Sequence, residues 1–226
     1  MKKVAIFVAV LAFFFCIGSV TTVQALPTPV QISSTSLVSN LHIQVDGHEK
    51  WLRSGEFDIV VNYGLPNAIA TISYCIDVGQ SFHSGVVYDK GEYHIVPVTG
   101  SPLSQAAYLM NKYAVANTGS LDYYNYDGNQ YTALQIARAL QLSIWDVVDD
   151  EVTVVEGYLD GKTWDAYSYI MADLGPEILN GYNVAASASH QDQLYGAAPV
   201  PEPATMMLLG TGLLGLGIVS RRKIRK

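Results

Sequence analysis

Cys75 and Gln141 are two residues of this sequence whose side chains could form a covalent bond with each other. Cys75 lies in the segment SYCIDVGQ, and it is the only cysteine outside the apolar N-terminal segment that contains Cys16. A thiol can condense with the carboxamide of a glutamine, which releases ammonia and leaves a thioester that amines attack. Such a bond persists only where water is excluded. The elements around both residues must therefore provide a dry site.

The segment around Cys75 has the period of a β-strand. The alternation places Cys75 on the more polar face, next to Asp77, while Tyr74 lies on the opposite face. In an oxidising compartment an unpaired thiol is expected to be buried, joined to a second chain or chemically occupied. A buried inert thiol and a disulfide-linked dimer are therefore the alternatives to a thioester.

The segment that contains Gln141, TALQIARALQLSIWDVVDD, has a helical period and a capping residue at Thr132. Gln141 occupies a position where a hydrocarbon side chain is expected. The residues that share its face are apolar: Ala137, Ile144, Trp145 and Val148. Burying an unpartnered amide costs about 1–3 kcal/mol, so Gln141 either bonds to a neighbouring strand or joins the thioester. Gln135 has a similar setting, but Gln141 is favoured because it alone has a tryptophan four residues later.

These two segments resemble the two halves of the thioester domain of bacterial surface adhesins. The strand motif is YCID at 74–77, and the helix motif is LQLSIW at 140–145. The resemblance covers most of residues 40–195. It implies that Cys75 and Gln141 are the thioester partners, that Trp145 shields the bond, and that a lysine amine of a partner attacks it.

Tyr74 and Asp77 belong to the strand motif as supporting residues, and Asp77 is placed to orient or deprotonate the incoming amine. The sequence departs from the adhesin pattern at two positions. Leu140 replaces a threonine that is often found before the glutamine, and Ser143 stands where alanine is common. The missing threonine hydroxyl removes a hydrogen bond that could orient the acyl group.

The remaining pattern predicts one α+β domain over residues 26–195, built as an antiparallel β-sandwich or barrel-like sheet with inserted helices. Half-buried strands are predicted at LHIQV from Leu41 and at FDIVVNY from Phe57. Asp89 to Gly91 is predicted as the turn of a hairpin. Helices are predicted from about residue 102 to 113, after Thr132, and from about 163 to 174.

Both ends of the chain predict export. Residues 1–25 have the charged start, apolar middle and small-residue cleavage site of a signal peptide. Residues 196–203 form a linker that ends in Pro201, Glu202 and Pro203. An apolar segment at 204–220 would span about 25 Å as a helix, which is marginal for a membrane, and a basic tail follows at 221–226.

This C-terminal arrangement resembles the PEP-CTERM sorting signal of Gram-negative bacteria. The resemblance implies that an exosortase recognises Pro201, Glu202 and Pro203, and that the chain is held in the membrane before it is anchored at the surface or released to the extracellular matrix. The basic tail would stay cytoplasmic, with residues 26–200 outside.

Charge narrows the classes of partner. Between residues 26 and 200 the sequence has 6 lysines and arginines against 19 aspartates and glutamates, a formal charge of −13. Such a surface repels phosphate, so nucleic-acid binding is not expected. The partner predicted here is an amine-bearing protein or polymer surface, such as an exopolysaccharide. No metal site and no cofactor are predicted. Enzymatic turnover is not predicted either, because a thioester reacts once per molecule.

Overall fold

The computed structural model describes residues 28–89, 91–115, 124–126, 128–175 and 181–196. The strands are β1 (Val30–Val45), β2 (His48–Val61), β3 (Ile69–Cys75), β4 (Val87–Tyr88), β5 (His94–Pro97), β6 (Tyr124–Tyr126), β7 (Asn129–Tyr131), β8 (Val152–Thr153), β9 (Tyr182–Ala186) and β10 (Gln193–Gly196). The helices are α1 (Leu103–Tyr113), α2 (Ala133–Val148) and α3 (Gly161–Ala172), with a 3₁₀ turn at Glu156–Tyr158.

Eight of these strands form one antiparallel sheet in the order β4-β1-β2-β3-β10-β9-β5, with β8 paired to β1. The sheet is curled into a half-barrel, and the helices pack with it. The α+β prediction with an antiparallel sheet is confirmed in this coarser form. The hairpin predicted at Asp89 to Gly91 is wrong, because its two flanking strands lie at opposite ends of the sheet, β4 beside β1 and β5 beside β9.

The long β1–β2 hairpin carries a deformation beside the position of Cys75. The register jumps from Ser34 opposite Phe57 to Val38 opposite Gly55, so β1 has extra residues at this point. Gly55 has a φ of +130°, and a Cβ there would lie 2.0 Å from the carbonyl oxygen of Leu37. Bulges bend the strands that contain them. Pairing of β2 with β3 ends at Phe57 opposite Ser73, two residues before Cys75.

Helix α2 packs across this region of the sheet. Thr132 caps it with a complete capping box, in which Gln135 bonds back to the backbone of Thr132. The helix contributes to two hydrophobic clusters. Leu140 packs with α1 and α3 in one cluster, while Leu142 and Trp145 pack with the inner residues of β1 and β2 in the other. Because α2 is apolar on most of its circumference, it is buried between helices and sheet.

Within the described ranges, no helix is both long enough and apolar enough to cross a membrane. The signal peptide predicted at 1–25 and the apolar segment predicted at 204–220 lie outside the described residues.

Replacing Gly55 with alanine tests the bulge. We expect Gly55→Ala to lower the free energy of unfolding by more than about 2 kcal/mol, because a Cβ meets the Leu37 backbone and φ is positive. Urea unfolding measures this loss. The matched control is Gly47→Ala, at a φ of +72° with open space around it, which we expect to lose about 1 kcal/mol. Equal losses would contradict a steric role for Gly55.

Candidate functional site

The tertiary structure brings Cys75 and Gln141 into direct contact across 66 positions of sequence. The backbone N–H of Cys75 donates to Oε1 of Gln141 at 3.0 Å, and Nε2 of Gln141 donates to the carbonyl oxygen of Cys75 at 2.7 Å. Both residues are 0% exposed. The carboxamide of Gln141 therefore makes a two-point hydrogen-bonded contact with the backbone of the cysteine that is its predicted partner.

The end of β3 explains this contact. The N–H of Ile76 donates to the carbonyl oxygen of Asp192, on the β10 side of the strand. Because neighbouring peptide groups of a strand point in opposite directions, the N–H of Cys75 points toward β2. No described strand pairs with Cys75 on that side, since the pairing has ended at Phe57. Gln141 occupies this gap and replaces the missing strand partner.

A second amide contacts the sulfur itself. Gln193 lies directly opposite Cys75 in the β3–β10 pair, and its Nε2 donates to Sγ of Cys75 at 3.1 Å. The Oε1 atom of Gln193 accepts from the hydroxyl of Ser73 at 3.0 Å. All three residues are fully buried. The sulfur thus lies in a small polar patch within an otherwise apolar layer.

Burial sets the protonation state of the thiol. Loss of solvation raises the pKa of Cys75 to about 12, the hydrogen bond from Gln193 opposes this rise, and the charge of Asp77 adds to it. Cys75 is therefore a neutral thiol at physiological pH.

Apolar side chains surround the pair. Trp145 lies one helical turn beyond Gln141, is 0% exposed and belongs to the same hydrophobic cluster as Cys75. Leu142, Phe57 and Tyr195 are further members of that cluster. Within the described ranges the indole N–H of Trp145 has no hydrogen-bond partner. Bulk water is excluded from this layer, which is the environment that a stored thioester requires.

The two supporting residues lie apart from the sulfur. Tyr74 points to the opposite face of β3, where its hydroxyl donates to Glu56 at 2.9 Å. Burial is the main cause that raises the pKa of Tyr74 well above its usual range. Asp77 follows the end of β3, and its Oδ1 accepts from the N–H of Gly79 at 2.6 Å. Tyr74 therefore packs the strand, whereas Asp77 acts on Cys75 through its charge.

An open cleft of about 220 Å³ lies on the same face of the sheet as Cys75. The register places Ser34, Phe57 and Ser73 side by side on that face, and Ser34 lines the cleft. Phe82 also lines the cleft and packs edge-on against Phe57, with 5.1 Å between the ring centroids. With strands about 4.8 Å apart, β1 lies roughly 10 Å from β3. In this register Phe57 lies between Ser34, which lines the cleft, and Ser73.

Gln193 and Ser73 were not predicted from the sequence as residues of the site. Ser73 shares the strand face of Cys75, a relation that period-two alternation gives directly. Gln193 lies in the short segment QLYG, where a glutamine beside two large apolar residues was the available signal. Its pairing with Cys75 follows only from the strand order. No cluster of three or more metal-ligating side chains occurs in the described part of the chain.

Comparison with known proteins identifies the C-terminal segment. Residues 199–223 match the model of the PEP-CTERM protein-sorting motif, which includes Pro201, Glu202 and Pro203. These residues lie outside the part of the chain that the structure describes. Neither a curated protein nor a solved structure matches the chain. The chain carries a PEP-CTERM motif, which implies an exported, membrane-associated protein that an exosortase sorts to the surface.

Proposed function

We propose that this exported domain stores a thioester between Cys75 and Gln141 and uses it once, to attach covalently to an amine-bearing surface. The observation that carries the proposal is the paired hydrogen bonding of the Gln141 carboxamide to the Cys75 backbone inside a fully buried layer. This contact fixes the acyl carbon of Gln141 beside the residue that bears the thiol.

The chemistry balances without a cofactor. Sγ of Cys75 attacks Cδ of Gln141, the C–N bond breaks, and the thiol proton leaves with the nitrogen as ammonia. An amine of the partner then attacks the same carbon, the C–S bond breaks, and a proton of the amine ends on the sulfur. The products are an amide to Gln141 and a free Cys75 thiol, so the reaction does not turn over.

The surroundings favour storage of such a bond. Hydrolysis needs water at the acyl carbon, and Trp145, Leu142 and Phe57 are buried together with the pair. Burial also disfavours a sulfur anion, so the thiolate is a poor leaving group in this environment.

The partner we propose is a protein or polymer that bears amines, such as an amino-bearing exopolysaccharide, whose amines are cationic when protonated and attack in their neutral form. The formal charge of −13 over residues 26–200 attracts such surfaces and raises their local concentration. The cleft beside Phe82 lies on the Cys75 face and is the approach we propose for the amine.

A non-reactive structural protein of the extracellular matrix is the second candidate. One observation favours it: both polar atoms of the Gln141 amide already have partners, so the amide needs no covalent bond to be satisfied. In that case Gln141 only completes the edge of β3. A disulfide-linked dimer through Cys75 is disfavoured, because the sulfur is 0% exposed.

Intact mass separates the two candidates. We expect the chain to be lighter by one ammonia than its sequence mass, and to gain one methylamine when that amine is added. Cys75→Ala and Gln141→Ala remove both changes, because each removes one partner of the bond. Gln135→Ala is the matched control on the same helix and should keep both changes, since Gln135 caps α2 and bonds to Asp160 rather than to Cys75. An unmodified wild-type mass with a titratable thiol supports the structural protein instead.

The released thiol should impose a pH dependence on stability. Folding raises the pKa of Cys75 to about 12 from about 8.5 in an unfolded chain. The folded state therefore holds the thiol proton more tightly than the unfolded state. The resulting contribution to the free energy of unfolding is complete below pH ~8.5. It is lost as the pH rises toward 12, by at most about 1.4 kcal/mol per pH unit.

Urea unfolding measures this effect on two forms that lack the thioester, the methylamine-treated chain and the Cys75→Ala variant. Between about pH 8 and 10, the methylamine-treated chain should lose more stability than the Cys75→Ala variant, while the tyrosines titrate alike in both. Parallel pH profiles would contradict a raised pKa for Cys75.

A further inference from the structure

We propose that Gln193 is a catalytic residue of this reaction, which donates a hydrogen bond to the Cys75 sulfur and stabilises it as the C–S bond breaks. Ser73 is the positioning residue that orients the Gln193 amide. The inference rests on the proposed thioester, and it assigns a role to a residue outside both sequence motifs.

Within the described residues, Gln193 is the side chain that donates a hydrogen bond to Sγ of Cys75. Residues directly opposite each other on antiparallel strands have Cβ atoms about 4.5–5.5 Å apart, and Gln193 holds this position against Cys75. Its Nε2 lies 3.1 Å from Sγ, and both residues are fully buried. Gln141 is already engaged with the Cys75 backbone, so the two glutamines serve different atoms of the same cysteine.

The hydroxyl of Ser73 decides which end of the Gln193 amide faces the sulfur. An amide presents two donor hydrogens at one end and an acceptor oxygen at the other. Ser73 donates to Oε1 at 3.0 Å, which leaves the NH₂ group toward Sγ. The reverse orientation would place a carbonyl oxygen against the sulfur and would repel a developing thiolate. Ser73 therefore acts on the reaction through Gln193.

The donor matters most at the step that releases sulfur. When the amine nitrogen attacks Cδ of Gln141, the electron pair of the breaking C–S bond moves onto Sγ before the amine proton arrives. A sulfur anion is costly in a buried apolar layer, and a fixed N–H donor lowers that cost without reorganisation. Loss of an oxyanion-hole donor slows acyl transfer ~100- to 1,000-fold. Sulfur is a weaker acceptor, so we expect about a tenfold loss here.

The test uses the full chain, purified with its own sorting tail. Wild type, Gln193→Leu and Ser73→Ala are compared, with Gln130→Leu on the exposed β7 position as the matched control. Intact mass gives the fraction of chains lighter by one ammonia. The rates of methylamine incorporation and of hydrolysis are then followed on that fraction alone.

We expect Gln193→Leu to slow methylamine incorporation and hydrolysis by the same factor, about tenfold, because both reactions expel the same thiolate. Ser73→Ala should slow both reactions by a smaller factor, which is again the same for methylamine and for water. Gln130→Leu should match wild type. A merely structural role would loosen the layer instead and admit water, which speeds hydrolysis. If Gln193→Leu fails to form the thioester, Ser73→Ala, which keeps Gln193, decides the question.

Two results overturn the proposal: unchanged rates in both variants, or hydrolysis that becomes faster in both. The failure of the underlying thioester has a different signature, an unmodified mass in the wild-type chain. The role of Gln193 and the existence of the bond are therefore judged by separate measurements.

Discussion

The structure around the candidate site depends on one interaction, the pairing of the Gln141 carboxamide with the N–H and C=O of Cys75. Each of these backbone groups would otherwise be buried without a partner, at a cost of about 1–3 kcal/mol. A glutamine side chain has one donor end and one acceptor end, so it can satisfy both groups as a strand would. The pairing therefore adds a specific polar contact to the apolar packing of α2 on the sheet.

The gap that Gln141 fills arises from the course of β2. At Gly55 the strand approaches Leu37 so closely that a side chain cannot be accommodated, and the register of the β1–β2 hairpin shifts there. On the N-terminal side of this bulge, toward His48, β2 does not pair with β3. A steric feature of one hairpin thus creates a vacant strand edge on the next strand, and a helix side chain completes it.

Storage and release of an acyl group make opposite demands on this layer. A dry environment with buried Trp145 and Phe57 would protect the proposed thioester, yet the same dryness would make a departing sulfur anion unstable. In the proposed reaction a single oriented donor such as Gln193 would reconcile the two, because it would contribute little to the neutral thioester and more to the charged state that forms on release. The export that the sorting motif implies fits a bond that acts outside the cell.

The sequence by itself determined the local features of this protein. The period of two identified the strands that contain Leu41 and Phe57, the capping residue Thr132 identified the start of α2, and the C-terminal motif identified the sorting signal, since each depends on neighbouring residues only. The anomaly of an amide on an apolar helix face also singled out Gln141 without any structure.

Only the tertiary structure decided which residues meet. The predicted hairpin at Asp89 failed because turn-forming residues do not specify the strand partners on either side, and here those partners are β1 and β9. Gln193 became visible only when β10 was paired with β3, more than a hundred positions earlier in the chain. Strand order depends on how the whole sheet closes over its core, so contacts between distant strands are not contained in the local pattern of either one.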